Sequence, residues 1–404
     1  MNGKRLVLML AGLIAILVSS WRMNISIFYS HLMSYYSIGA VTLLSLGPML
    51  SGVASVFSSY LLGGLYDRRG PSVVIYIGAL TQLLSAFVFY PMKFFSWGLS
   101  MWMWYAGNVV AGLGATALVL SVNPALLMSF SDKPAIALAI AQSASYLALT
   151  MWSPIISAMI EVFDVFEVFL ALSIVSFIAM IVCGIIYSRQ SLYRDSVKGS
   201  STTFAKIPAT FIFLLAPIFF IAMSSTILLQ FLAPITTDFC KNLGMDSTTI
   251  SRSYVPMVMS VSGVLQSVGA FAWGFIAMRL GVLETLPLLY AVEAASMFLA
   301  ISFTKHSIEA VVSMIWLRFL AFGGEPVAHM LLIPKLFGQN NMGKLLGIQT
   351  SVVMAASIAG PLIGGLARDL TGSFITTALL SAIFSIIAAV IAIAINILIK
   401  KRSK

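Results

Sequence analysis

The sequence predicts an all-α polytopic membrane protein with twelve transmembrane helices in two pseudo-symmetric six-helix bundles. Three observations carry that expectation. The chain has 404 residues, 60% of them hydrophobic and 9% charged, with a mean hydropathy of +1.02. Soluble domains carry about 25% charged residues, so this chain has too little polar surface to cover its core in water. Apolar stretches of the length that crosses a bilayer, about 20 residues, follow one another with short polar breaks, and several features recur half a chain apart.

The apolar runs place helices near 6–30, 38–64, 73–92, 99–127, 135–160 and 166–188, then near 207–235, 252–278, 283–304, 308–335, 343–367 and 373–399. The longest polar stretch runs from Ser188 to Lys206 and contains Arg189, Arg194, Asp195 and Lys198. It reads as a cytoplasmic linker over 189–206, between an N-terminal bundle (1–188) and a C-terminal bundle (207–404). The start of the chain, with Lys4 and Arg5 before an apolar run and small residues at Ser19 and Ser20, also fits a secretory signal. Cleavage would leave an odd number of spans, and the charge distribution favours an uncleaved first helix.

That distribution sets the orientation. Of the 23 Lys and Arg residues, sixteen fall on the same side as the N-terminus. Five (Lys93, Lys241, Arg252, Lys305 and Arg368) fall on the other side, and Arg22 and Arg318 lie inside helices. Positive charge collects on cytoplasmic loops, which predicts a multi-pass plasma-membrane protein with both termini cytoplasmic. Trp97, Trp102 and Trp104 read as an interfacial aromatic cluster at the outer end of helix 4. The net charge of +10 is scattered over short loops, which excludes a nucleic-acid-binding face. Cys183, in an apolar helix, and Cys240, expected in a loop after helix 7, form neither a disulfide framework nor a metal spacing. No phosphate-binding loop, zinc signature or nucleophile–base set appears, so the expectation is no enzyme and no cofactor.

The two halves echo each other. Gly63-Gly64-Leu65-Tyr66-Asp67-Arg68-Arg69-Gly70 follows helix 2, and Gly274-Phe275-Ile276-Ala277-Met278-Arg279-Leu280-Gly281 follows helix 8. The closing glycines are 211 positions apart, and the helix-interior prolines Pro154 and Pro361 are 207 apart. Two similar offsets point to a duplicated six-helix unit, the parallel repeat of one transporter class.

At these residues the sequence resembles the major facilitator superfamily, along the whole chain. Gly63-x-Leu65-x-Asp67-Arg68-x-Gly70 matches that superfamily's motif between helices 2 and 3. The resemblance implies that Gly63, Asp67, Arg68 and Gly70 form a gating motif. The second copy has Met278 in place of the carboxylate, so the resemblance implies a gating motif in the first half alone. A narrower resemblance is to the oxalate:formate antiporter and monocarboxylate transporter branch. It rests on Arg69-Gly70-Pro71, on Phe337-Gly338-Gln339-Asn340-Asn341-Met342-Gly343, and on Gly360-Pro361-Leu362-Ile363-Gly364-Gly365 followed by Asp369-Leu370-Thr371-Gly372-Ser373-Phe374. The sequence departs from that branch in lacking a basic residue in the middle of helices 8 and 11. It also lacks the glycine-rich helix-5 motif of many drug antiporters, since Ser153-Pro154 has no flanking glycines.

An ionisable group in mid-helix costs about 2.5–3.5 kcal/mol to insert, and marks a functional site by default. Helix 10 carries three: Arg318, Glu325 and His329. Steps of seven and four keep them on one face, with Gly323, Gly324 and Pro326 loosening the helix beside Glu325. Arg318 and Glu325 lie about 10 Å apart along an ideal axis, and helical side chains lean toward the N-terminus; a direct bond between them is not expected. Arg22 lies inside helix 1, on a face with Ser19, Ser26 and Tyr29 at three- and four-residue steps. The bland alternatives are a structural polar network for Arg318 and Glu325, packing for His329, and an Arg22 that snorkels to the headgroups. Glu293, in helix 9, has no account from sequence. Asn24, Asn108, Asn123, Gln142, Gln230 and Gln266 supply further intramembrane polarity.

The resulting expectation is a secondary transporter for a small organic anion, of the monocarboxylate class, working by alternating access. It would be proton-coupled or exchange a counter-substrate, and act as a monomer in the lipid bilayer. Arg22, Arg318, Asn24 and Tyr29 would bind substrate, and Glu325 and His329 would carry the proton. The alternative is export of a neutral or cationic solute with Glu325 as counter-ion or proton site. A sensor or scaffold on the same fold is disfavoured, because loops this short leave no soluble signalling domain.

Overall fold

Helices begin and end where the local chemistry requires it. After span 2 (Val41–Tyr66), the Gly70 N–H closes the helix on Tyr66 O at 2.8 Å. Gly70 then turns at φ 84°, a conformation that glycine adopts without a Cβ penalty, and Pro71 starts the next helix with its φ already set. Span 8 (Ser247–Leu280) ends in the same way, with Gly281 at φ 96° closing on Ala277 O. Span 6 (Val165–Ser188) opens with a capping box. Asp164 accepts from the Phe166 and Glu167 N–H groups at 2.9 and 2.8 Å, and Glu167 accepts from the Asp164 N–H.

The computed structural model describes residues 3–129, 134–189, 209–337 and 342–402. Among the described residues every element is helical, and twelve helices are long and apolar enough to cross a membrane. The outward faces of these helices carry large apolar side chains such as Phe57, Leu61, Phe213, Val390 and Leu398. Such a surface is stable in lipid, where a helix satisfies all its backbone groups internally; the chain folds as a multi-pass membrane protein. The expected linker lies outside the described residues apart from Arg189, as does 338–341 of the loop motif.

The chain divides into two units, Met1–Ser201 and Thr202–Lys404. In the first, the remaining spans are span 1 (Leu6–Tyr36), span 3 (Pro71–Phe94), span 4 (Trp97–Asn123) and span 5 (Ile140–Val162). In the second they are span 7 (Thr210–Asn242), span 9 (Val282–Phe303), span 10 (Ile308–Phe337), span 11 (Ile348–Thr371) and span 12 (Phe374–Lys401). Each unit repeats one packing order. Span 3 packs on spans 4 and 6, span 2 on span 4, and span 1 on spans 5 and 6; span 9 packs on spans 10 and 12, span 8 on span 10, and span 7 on spans 11 and 12. Even a tight backbone approach recurs. A Cβ on Gly112 of span 4 would lie 2.2 Å from Ser51 O of span 2, and one on Gly323 of span 10 would lie 1.9 Å from Gln266 O of span 8. These two glycines are 211 positions apart, the same offset as Gly70 and Gly281. Leu8, Ile16, Ile75 and Met180 centre the first core, and Leu214, Ile218, Leu289 and Leu332 the second.

Several expectations change. Span 7 runs on to Asn242, so Cys240 is a buried helical residue and not a loop residue. The span kinks at Phe231, φ −119° and ψ 17°, three residues before Pro234, whose ring excludes the usual i−4 bond. Trp104 is not interfacial: it is fully buried and donates to Leu44 O at 2.9 Å, while Trp102 stays exposed. Span 1 extends to Tyr36, and Ser20–Asn24 tightens into a 3-10 turn. Three residues per turn instead of 3.6 breaks the single polar face expected for Ser19, Arg22, Ser26 and Tyr29. Arg22 is half-buried, whereas Tyr29 and Ser26 are buried.

Candidate functional site

Span 10 is two helices, Ile308–Phe322 and Glu325–Phe337, joined at Gly323-Gly324. The Gly324 N–H bonds back to Ala321 O at 2.8 Å, one residue short of the α pattern. Pro326, which has no N–H, falls in the first turn of the second piece, where none is needed. The break invalidates the 10 Å separation expected for an ideal helix. Arg318 Nη1 lies 4.0 Å from Glu325 Oε1, with Arg318 approaching from before the break and Glu325 leaning back from after it.

The stronger partner of Arg318 comes from span 9. Glu293 Oε2 is 2.5 Å from the same Nη1, and both side chains are 0% exposed. Arg318 Nη2 donates to Ser224 Oγ at 3.1 Å and Ser225 Oγ at 3.0 Å, both on span 7. Ser225 Oγ in turn donates to Glu325 Oε1. Ser224 is tied to span 12 through Ser381 Oγ at 2.9 Å and Ser385 Oγ at 2.8 Å. Spans 7 and 9 therefore meet span 10 at one guanidinium, and span 12 joins them through Ser224. Neither oxygen of Glu293 accepts a hydrogen bond from a fixed N–H or O–H donor among the described residues. Oε2 makes an ion contact with the guanidinium, on the nitrogen that Glu325 also approaches. His329, one turn beyond Glu325, bonds through Nε2 to the Tyr290 hydroxyl at 2.6 Å.

The first unit has a different polar site. Arg22 sits in the 3-10 turn of span 1 and reaches span 3. Its Nε donates to Gln82 Oε1 at 3.4 Å and its Nη2 to Ser85 Oγ at 3.0 Å. The guanidinium lies over the rings of Trp21, at 4.9 Å, and Phe89, at 5.4 Å. Among the described residues no carboxylate pairs with it. Asn24 is fully buried and donates to Ala148 O of span 5 at 3.4 Å, leaving Oδ1 without a partner among the described residues. Trp21 Nε1, Ser19 Oγ and Ser26 Oγ are likewise unpartnered there. Tyr29 is fully buried in the same span.

In the expected gating motif, Gly63 and Arg68 lie at the end of the helix Val41–Arg69, and Gly70 makes the turn; the side chain of Asp67 lies outside the described residues. Sequence reasoning missed Glu293 as the partner of Arg318, although an acid in mid-helix was a visible signal. It also missed Ser224, Ser225, Gln82 and Ser85, whose residue type is too common in helices to signal anything alone.

No protein-family model matches the chain, and no curated protein matches it by sequence. Solved structures match along nearly its whole length. A bacterial homolog of the human lysosomal transporter Spinster, inward-facing and unoccupied, is 14% identical, with a TM-score of 0.69 and 98% of each chain covered. The nucleoside transporter NupG is 15% identical, with a TM-score of 0.71, covering 98% of this chain and 99% of that one. A bacterial homologue of the iron transporter ferroportin, inward-facing, is 12% identical, with a TM-score of 0.72 and the same coverage. Likeness at these identities establishes the fold, the twelve-helix major facilitator architecture, and not a cargo.

Proposed function

We propose that this protein is a secondary transporter of a small organic anion, of the monocarboxylate class, and that Arg22 supplies the counter-charge. The fold shared with transporters supports the first part. The observation that carries the second is the surroundings of Arg22: a half-buried guanidinium whose partners among the described residues are neutral groups and aromatic faces. Such a group keeps its full charge for a ligand. Its planar fork suits a carboxylate, which accepts two parallel N–H bonds. Asn24, two residues along the same 3-10 helix, has a side-chain NH2 with two hydrogens of which one goes to Ala148 O; the second hydrogen and Tyr29 are the further contacts in this reading, and the monomer is the working unit. The protein would sit in the plasma membrane with both termini cytoplasmic, an orientation that the positive-inside distribution supports.

A second reading is favoured by a different observation. Arg318 already faces two carboxyl groups, so its guanidinium offers no surplus positive charge to an anion. Read alone, that site suits a neutral or cationic solute, with Glu325 as its counter-ion.

Uptake into proteoliposomes of labelled monocarboxylates, dicarboxylates and a cationic solute, with and without an inward proton gradient, tests the two. Saturable monocarboxylate uptake, lost in Arg22→Gln, is the expected result. Uptake of the cation alone, abolished by Glu325→Gln and untouched by Arg22→Gln, would overturn it.

A further inference from the structure

The charge count at Arg318 is uneven. One guanidinium faces two carboxyl groups, Glu293 and Glu325, on the same nitrogen. All three side chains are at least nine-tenths buried. A second carboxylate without a cation of its own is costly in such a place, because burial penalises an unpaired charge by several kcal/mol. Two carboxyl groups held together relieve this by sharing a proton.

The hydrogen-bond inventory points the same way. The surrounding serines supply donors to Glu325 and none to Glu293. Both carboxyl groups reach the same guanidinium nitrogen, and two carboxyl groups brought together in this way bond to each other only when one carries hydrogen.

We propose that Glu293 and Glu325 hold one exchangeable proton between them beside Arg318, and that this pair is the proton-coupling site of the carrier. The coupling role rests on the transporter reading above; the proton site does not. With the proton bound, the cluster is neutral: one guanidinium, one carboxylate and one carboxylic acid. On release the O–H bond breaks, its electron pair stays on the carboxylate, the proton passes to water and the cluster carries one negative charge.

The other groups facing the pair are few. Span 9 adds Tyr290, and span 10 adds Arg318 and, through Tyr290, His329. Spans 7 and 12 add serines only. Among the described residues, spans 8 and 11 place no charged group on the pair. Arg318 is the positioning residue, since it holds both acids on one atom. The site is joined to the break in span 10, because Glu325 is the first residue after Gly323-Gly324. A change in its charge therefore acts on the one place where that span is not continuous.

Infrared spectroscopy of the full-length protein in lipid tests the proton directly. The expected result is a carboxylic acid carbonyl band that shifts in heavy water, titrates with pH, and is lost or displaced in both Glu293→Gln and Glu325→Gln. Arg318→Lys should move the midpoint of that titration. A wild-type spectrum with no such band at any pH where the protein is folded overturns the proposal, and that spectrum needs no variant. A band unchanged in both Gln variants overturns it as well. In proteoliposomes both Gln variants should keep solute exchange and lose gradient-driven accumulation. Accumulation that persists in them, with the band gone, overturns the coupling role. A band present in a protein that moves no solute would overturn the transporter reading and leave the proton site standing.

Discussion

Arg22 and Arg318 are guanidinium groups in the interiors of span 1 and span 10, one in each unit, and they have opposite surroundings. Arg22 meets an amide, a hydroxyl and two aromatic faces. Arg318 meets two carboxyl groups and two serines and has no exposed surface. The two units are otherwise repeats of one packing order, down to the Gly112 and Gly323 contacts. Their polar interiors have diverged where their backbones have not. The same residue type meets neutral partners among the described residues in one unit, and in the other serves as the hub of an internal network.

The sharpest way to break this comparison is to remove each charge in turn. Arg318→Leu leaves two acids buried without their cation, and breaking such a pair costs about 3–5 kcal/mol. The loss should shrink in acid, where protonation neutralises the acids, and should be largely recovered in Arg318→Leu combined with Glu293→Gln and Glu325→Gln. Arg22→Leu removes only hydrogen bonds to neutral partners and should cost about 1 kcal/mol. Unfolding of the four proteins in detergent across a pH series checks the order; equal losses for the two Arg variants would dissolve the distinction.

Gly323→Ala probes what the units share. Its Cβ would meet a backbone carbonyl, which cannot swing aside, so overpacking of about 1–3 kcal/mol is expected. Gly112→Ala should behave alike. A large effect in one unit and none in the other would show that the repeat does not extend to energetics.

The smallest effects belong to the caps. Asp164→Ala in the first unit removes the box that starts span 6, at about 1 kcal/mol. In the second unit Asp246 accepts from the Thr249 N–H at 2.9 Å. Hydrogen bonds from Thr249 hold its carboxyl below the usual carboxylate range. A lowered folded value means stabilisation that is present above the unfolded value and fades as pH falls through the folded one. Asp246→Asn should flatten that acid-side slope in unfolding scans and change little at neutral pH.

The fold was legible almost entirely. Span number and the repeat offset follow from hydropathy and from paired glycines, because lipid imposes long apolar helices and a left-handed turn demands glycine. The candidate sites were legible only as residues. Arg22, Arg318, Glu325 and His329 stood out because charge inside a span is costly. Their partners did not, since Glu293 reaches Arg318 through tertiary packing, and Ser224 or Gln82 is indistinguishable from packing polarity in one sequence. Two local departures from the α-helix also escaped the periodicity argument. The 3-10 turn at Ser20–Asn24 dispersed an expected polar face, and the break at Gly323-Gly324 brought together two groups that an ideal helix keeps apart.

The most direct test of the central claim is equilibrium binding of a labelled monocarboxylate to the purified protein and to its Arg22→Gln and Arg318→Lys variants. The account predicts saturable binding that Arg22→Gln abolishes and Arg318→Lys retains. Binding that survives Arg22→Gln and disappears with Arg318→Lys would contradict it, and would return the anion site to the second unit.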